Sequence, residues 1–473
     1  MILFILFSVL GVIFAVSYFL GKQKFVPYKL LLCIWLLSIA VSQFRLSPLE
    51  KPWTTNFWLA LIVFLVLFYL ASKIFSKIFN QKISENSSLS WFLDGRLFFA
   101  VLLLMAIFSV GANIYIYNYF QTLPILSSIP DRMRFAINKE IFGLWEYGAL
   151  LPRLAIPLTF IYLLLNRTNK KWPKALAYMN IILGFVILSL YASRLTIIFP
   201  ILMCYFIYLL LRLKDINPAP SSGVLNPAGI FSLIIHPCGR DRGCLGRCWI
   251  NLKKIISASA AVVLVVLVIS IAIPAVRQHI TYRDYYLNEE DDAFSYIMTL
   301  SELKIPDNFR WVAPLYIIPA FNLQAFFRST DFFGPANFYY GQYGLSTLSP
   351  LLKIFHLSAP EIKIPWKQMF LPWWITATFL FNYWADFGYW GIIFAAIFWA
   401  ILLSGVYYFA VRKSGFISTM LFAYFSFMVI MSIYTNYFLR QEFYLDILVV
   451  AAVGFLVNKS NKKNKADVSA SLI

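Results

Sequence analysis

Charge is scarce in this sequence. Asp, Glu, Lys and Arg make up 13% of its 473 residues, and hydrophobic residues make up 61%. A soluble globular domain has about 25% charged and about 45–50% apolar residues, so that class is excluded. Histidine occurs only three times and cysteine five times, and the five do not form a disulfide framework. Cys33 and Cys204 fall in apolar runs, as small core residues do. The sequence contains no Walker A loop, dinucleotide fingerprint, G-x-S-x-G elbow or H-E-x-x-H motif. Those absences speak against an ATP-driven pump and a membrane zinc protease.

What the chain does have is long apolar runs. About 20 such residues cross the hydrocarbon core as a helix. The runs predict an all-α polytopic integral membrane protein with about eleven spans: 1–20, 28–44, 56–74, 97–117, 147–166, 175–192, 195–211, 255–274, 388–411, 415–433 and 443–458. The first run has no basic n-region and no small-residue cleavage site, and reads as a retained helix. With these spans, 24 of the 40 Lys and Arg fall in alternate loops, among them Lys22, Lys24, Lys73, Lys77, Arg212, Arg412 and the tail from Lys459 to Lys465. The positive-inside rule assigns that set to the cytoplasm, with the N-terminus out and the C-terminus in. The net charge of +19 is thus spent on topology, and no nucleic-acid partner is expected.

Three regions result. Residues 1–274 form an N-terminal transmembrane bundle with an inside loop at 212–254. Residues 275–387 form a large extracytoplasmic loop, and residues 388–473 form the last helices with a basic tail. The inside loop holds His236, Cys238, Cys244 and Cys248. Their spacing is poor for zinc, and a linker with free thiols is the favoured reading. The large loop carries eight Lys and Arg against ten Asp and Glu, with many aromatics, which is not the composition of a disordered tether. Its apolar stretches near 311–327 and 369–385 are expected to re-enter the membrane or lie on its surface.

Several residues are candidates for chemistry. Arg194 follows Ser193 at a tight corner between two spans, either lining a cavity or snorkelling to headgroups. Glu146 and Arg153 are seven residues apart, on roughly one helical face, as an internal pair or part of a polar cavity. Arg277, Arg283 and Arg328 sit in outside segments, and guanidinium forks suit diphosphate oxygens as well as lipid headgroups. Asp331 lies beside Arg328 in an aromatic patch. Asp386 is either a base for a sugar hydroxyl or a cap for the helix that follows, capping being favoured. Gly388 and Gly391 suggest close packing. Tyr383, Trp384 and Trp390, with Trp373 and Trp374, offer stacking faces for sugar rings. Glu289 to Asp292 reads as a solvated acidic run, and His279 and His356 fall in no catalytic spacing. No cofactor and no metal are called for.

Ser193-Arg194, the stretch Tyr316 to Asn322, and above all Thr378-x7-Asp386-Phe387-Gly388-x2-Gly391 resemble the Wzy-type O-antigen and oligosaccharide repeat-unit polymerases of bacterial envelopes. Two features depart from that family: Ala192 stands where a glycine usually precedes Ser-Arg, and the cysteine-bearing loop looks like an insertion. The resemblance implies a glycosyltransferase-C-like fold in the bacterial inner membrane, with the active site on the extracytoplasmic side. It implies transfer of a growing glycan from undecaprenyl diphosphate to an incoming lipid-linked repeat unit. Arg194, Arg277, Arg283 and Arg328 would hold diphosphate, Thr378 and Tyr383 would bind substrate, and Asp386 or Asp331 would be the base. Membrane lipids, a chain-length regulator and a flippase would be partners. An O-antigen ligase would share the donor site, and a lipid-linked oligosaccharide flippase is the reading from another class.

Overall fold

The computed structural model describes residues 2–21, 23–82, 95–127, 144–165, 171–191, 193–216, 298–346, 376–413 and 415–470, with short pieces at 133, 136–137, 257, 261–262, 264–265 and 362. Among the described residues the regular structure is helical throughout. Lipid offers no hydrogen bonds to a backbone, and a helix satisfies its own. The N-terminal helices are α1 (Ile2–Leu20), α2 (Pro27–Ser42), α3 (Thr55–Lys82), α4 (Gly95–Phe120), α5 (Leu144–Leu150), α6 (Pro152–Leu165), α7 (Lys171–Leu190) and α8 (Arg194–Ile216). The C-terminal ones are α9 (Ala313–Phe332), α10 (Gln342–Ser346), α11 (Leu380–Lys413), α12 (Phe416–Met431) and α13 (Gln441–Ala470).

Among the described residues, seven helices are long and apolar enough to cross a membrane, from Ile2–Leu20 to Leu380–Arg412. The shorter α2 and α12 coincide with two more of the expected runs, and α13 covers a third. Most of the expected span 255–274 lies outside the described residues.

Packing divides the helices into two groups. In one, α11 packs along α3, α1 pairs with α2, and α9 lies against α2, α3 and α11. In the other, α6 packs on α7 and α8, and α4 on α5. Helix α12 bridges the two through α2, α8 and α11. The stretch predicted as re-entrant or interfacial near 311–327 is thus the buried helix α9.

The bundle has two distinct ends. At one, the Tyr407 hydroxyl donates to the Lys24 carbonyl, Gln23 to Tyr408, and Arg412 to Asn80 at 2.7 Å. Lys29, buried there, donates to the Ser17 carbonyl at 2.9 Å and the Gln23 carbonyl at 2.6 Å, clamping the α1–α2 turn. This is the basic end. At the far end the 43–54 loop meets α9: Gln324 donates to the Lys51 carbonyl at 2.9 Å and Arg328 to the Leu49 carbonyl at 3.2 Å.

The decisive feature of α11 is its break. Gly388 has φ 55° and ψ −130°, so residues 380–387 and 389–413 are two helices joined at a sharp fold. The first runs back along the second: Phe379 lies 5.0 Å from Trp399 by ring centroids, and Trp384 lies 4.9 Å from Tyr389. Only glycine tolerates the Gly388 torsions, and a Cβ there would come within 2.5 Å of Phe338. At Gly391 a Cβ would meet the Tyr383 carbonyl oxygen at 1.9 Å. The two glycines make one helical hairpin, and the expected span start at 388 coincides with its fold. Gly388→Ala and Gly391→Ala should each cost at least about 3 kcal/mol, the scale of strain plus overpacking. Thermal melting of the purified protein in detergent should show both well below wild type, with Gly405→Ala, where a Cβ finds its nearest neighbour at 3.6 Å, close to it.

Candidate functional site

The break at Gly388 frees backbone groups that a continuous helix would use internally. The Ala385 carbonyl accepts from the Tyr339 amide at 2.9 Å, and the Asp386 carbonyl from the Tyr340 amide at 3.1 Å. The Asp386 side chain completes the arrangement. Its Oδ1 accepts from the amides of Gly341 and Tyr343, both at 3.0 Å, and its Oδ2 from Gly344 at 2.9 Å. Asp386 therefore caps a helix, but not the one that follows it in sequence: it holds the start of α10, more than forty residues upstream. The correction has a simple cause, since the hairpin fold swings Asp386 out of line with residues 389–413.

A second polar group lies among α5, α6, α8, α12 and α13. Arg153, 3% exposed, donates from Nη2 to Asp446 Oδ1 at 2.9 Å. The Tyr147 hydroxyl donates to the same oxygen at 3.0 Å, and the Tyr424 hydroxyl to Oδ2 at 2.7 Å. Arg153 also sits over the Tyr147 and Phe199 rings, at 5.5 and 5.7 Å. Glu146 does not pair directly with Arg153; its Oε1 accepts from the Tyr191 hydroxyl at 2.9 Å. Among the described residues, buried Arg153 Nε and Glu146 Oε2 find no hydrogen-bond partner. Arg440 stacks on Tyr437 at 5.6 Å, two residues before Glu442. Three hydrogen bonds to one carboxylate compensate the desolvation that would otherwise make a buried ion pair unfavourable.

A third group closes the far end. Glu50 Oε1 accepts from the Tyr316 hydroxyl at 2.6 Å and the Ser47 amide at 3.1 Å, while Tyr316 accepts from the Leu46 amide. Burial pushes the Glu50 carboxyl above its usual range, against the pull of Tyr316 and Ser47. The folded state thus holds this proton to higher pH than the unfolded chain, and the neutral carboxyl's contribution to stability is lost as pH rises through the raised value.

The candidates separate as follows. Arg194 is the first residue of α8, one and a half turns from Phe199, which touches the Arg153 group. Arg328 and Asp331 lie on the last turns of α9. Asp331 is exposed and accepts from Thr54 Oγ1 at 3.4 Å. Thr378 is 1% exposed at the deep end of the hairpin, and its hydroxyl finds no hydrogen-bond partner among the described residues. Tyr383 is half-buried beside Asn436 and Phe394, so its ring packs the hairpin. Arg277, Arg283, Glu289 to Asp292, His279, His356, Trp373, Trp374 and the cysteine-bearing loop lie outside the described residues.

An aromatic chain joins the hairpin to the buried charges. It runs from Phe379 to Trp399 at 5.0 Å, to Phe438 at 5.2 Å and to Phe443 at 5.0 Å. From there Tyr424, which donates to Asp446, is 5.7 Å away.

No protein-family model, no characterised protein and no solved structure matches the chain. Sequence reasoning missed Asp446, although it is the one acidic residue in the run 443–458 and such a residue is a functional candidate by default. It also missed the loop from Tyr339 to Gly344, which has no signal beyond two glycines.

Two measurements test these networks. Arg153→Met should destabilise by about 3–5 kcal/mol, the scale for stranding a buried charge, and adding Asp446→Leu should recover part of that loss in melting experiments. Glu50→Ala leaves two donors unpaired and should cost about 1–3 kcal/mol. Glu50→Gln should stay near wild type while flattening the fall of melting temperature with rising pH.

Proposed function

We propose that this protein polymerises lipid-linked oligosaccharide repeat units on the extracytoplasmic face of the bacterial inner membrane. The observation carrying this reading is that the residues of the polymerase-like motif act as one device. Gly388 and Gly391 make the hairpin, Asp386 locks a loop onto it, and Thr378 sits at its deep end. The gathering of basic residues at the opposite end supports the extracytoplasmic assignment through the positive-inside rule.

In this reading a hydroxyl at the non-reducing end of the incoming unit attacks the anomeric carbon of the growing chain. The bond from that carbon to the diphosphate oxygen breaks, and undecaprenyl diphosphate leaves. A base takes the hydroxyl proton, and cationic donors stabilise the charge developing on the diphosphate. Arg194 and Arg328 serve as donors, joined by Arg277 and Arg283 from the large loop. Asp331, being exposed, is open to a sugar hydroxyl. Asp386, with both oxygens engaged, positions the loop. The donor is already activated, so the reaction needs no nucleotide and no cofactor.

The broken helix also suits a flippase, because transporters use discontinuous helices at their binding sites. Gene deletion followed by gel analysis of surface polysaccharide separates the readings. A polymerase leaves single repeats on the acceptor; a flippase or ligase leaves none. Returned on a plasmid, Arg194→Ala should insert normally yet lower long-chain product by about 100-fold or more, the scale for a removed transition-state donor. A normal ladder from that variant would remove Arg194 from the site.

A further inference from the structure

The surface of α11 after the break carries a stripe of exposed apolar side chains. Trp390, Phe394, Ile397 and Ile401 follow one another at spacings of four, three and four residues, with exposures of 78, 58, 40 and 39%. That spacing is one face of a helix, and among the described residues only the Tyr383 ring, beside Phe394, touches its edge. From Trp390 to Arg412 the helix rises about 33 Å at 1.5 Å per residue. The hydrocarbon core is about 30 Å thick, so the tryptophan and the arginine fall at its two surfaces.

A second helix on the other side of the molecule repeats the pattern independently. Exposed Leu103, Leu104 and Ile107 on α4 give way toward the far end to exposed Tyr115 and Tyr119, with Trp145 stacked on Tyr115 at 4.7 Å. Aromatic rings with a polar edge concentrate at headgroup level. At the basic end, Trp172 is 75% exposed on the first turn of α7.

We propose that the hairpin tip is a lipid-contact surface, with Trp390 seated in the headgroup layer and the stripe below it facing acyl chains. The boundary then passes beside the fold of the hairpin. Trp399, on which Phe379 packs, lies nine residues beyond Trp390 along α11, or about 13 Å beneath the headgroups. Thr376 to Phe379, which are not helical, therefore sit at hydrocarbon depth, walled off from lipid by protein as irregular backbone there must be. The loop held by Asp386 lies near headgroup level, where a ligand reaches it along the membrane surface. This inference is independent of the polymerase reading.

The test is depth measurement in phosphatidylcholine vesicles. Nitroxide labels are attached to Trp390→Cys, Phe394→Cys and Ile401→Cys in the full chain with its native cysteines replaced, and oxygen is compared with a water-soluble nickel chelate as relaxant. The label at 390 should report headgroup depth and that at 401 a position about 16 Å deeper, eleven residues along a helix. A label at 390 in bulk water, or equal depths at 390 and 401, would overturn the proposal. Should the cysteine-free chain fail to fold, the wild-type protein labelled by a lipid-phase carbene and mapped by mass spectrometry decides it. Modification of Phe394 and Ile401 without Thr378 and Phe379 supports the placement, and the reverse refutes it.

Discussion

A helix in lipid cannot be interrupted without finding new partners for the backbone groups that the interruption frees. That constraint organises the far end of this protein. The Gly388 torsions release the carbonyls of Ala385 and Asp386, and the loop at Tyr339 and Tyr340 supplies the donors. The same loop turns three further amides toward the Asp386 carboxylate. Five hydrogen bonds thus tie one break to one loop, and the short helix α10 begins where they end. Asp386 acts here as a fixed acceptor, and the motif reads as architecture first and chemistry second.

The buried charges obey the same accounting in a different form. Arg153 and Asp446 are 293 residues apart in sequence and lie out of contact with solvent. Two tyrosine hydroxyls share the carboxylate, so neither charge depends on the ion pair alone. This network joins α5 and α6 to α12 and α13, and through Phe443 and Phe438 it meets the aromatic chain reaching the hairpin. The hairpin and the ion pair are consequently parts of one packed unit rather than two separate features.

Much of the fold was readable from the sequence because apolar run length is a local property. The run 388–411 emerged with its start at the true fold of the hairpin, and the small residues Gly388 and Gly391 did mark a close approach. The partners of the charged residues were not readable, for the opposite reason. Asp386 finds its donors more than forty residues upstream, and Arg153 finds Asp446 rather than the nearby Glu146, since the turn at Leu151 sets the two residues on different helices. Spacing along a single helix could not anticipate either result. Arg194 opens helix α8, and Arg328 and Asp331 lie on the last turns of α9, a helix within the stretch that the sequence reads as one large loop.

Lys29 shows how a residue's work can change with time. In the extended chain its positive charge stands with those of Lys22 and Lys24 in the short basic segment between the first two apolar runs. Once α1 and α2 have come together, its ammonium is drawn off the surface onto two carbonyls, beside a glycine at position 21 where any larger residue would collide with it. A charge of the connecting segment has then become a fastener. Helix α1, which packs along α2 and sets Phe7 and Phe14 against Trp58 and Tyr69 of α3, is tied down at its C-terminal end as well.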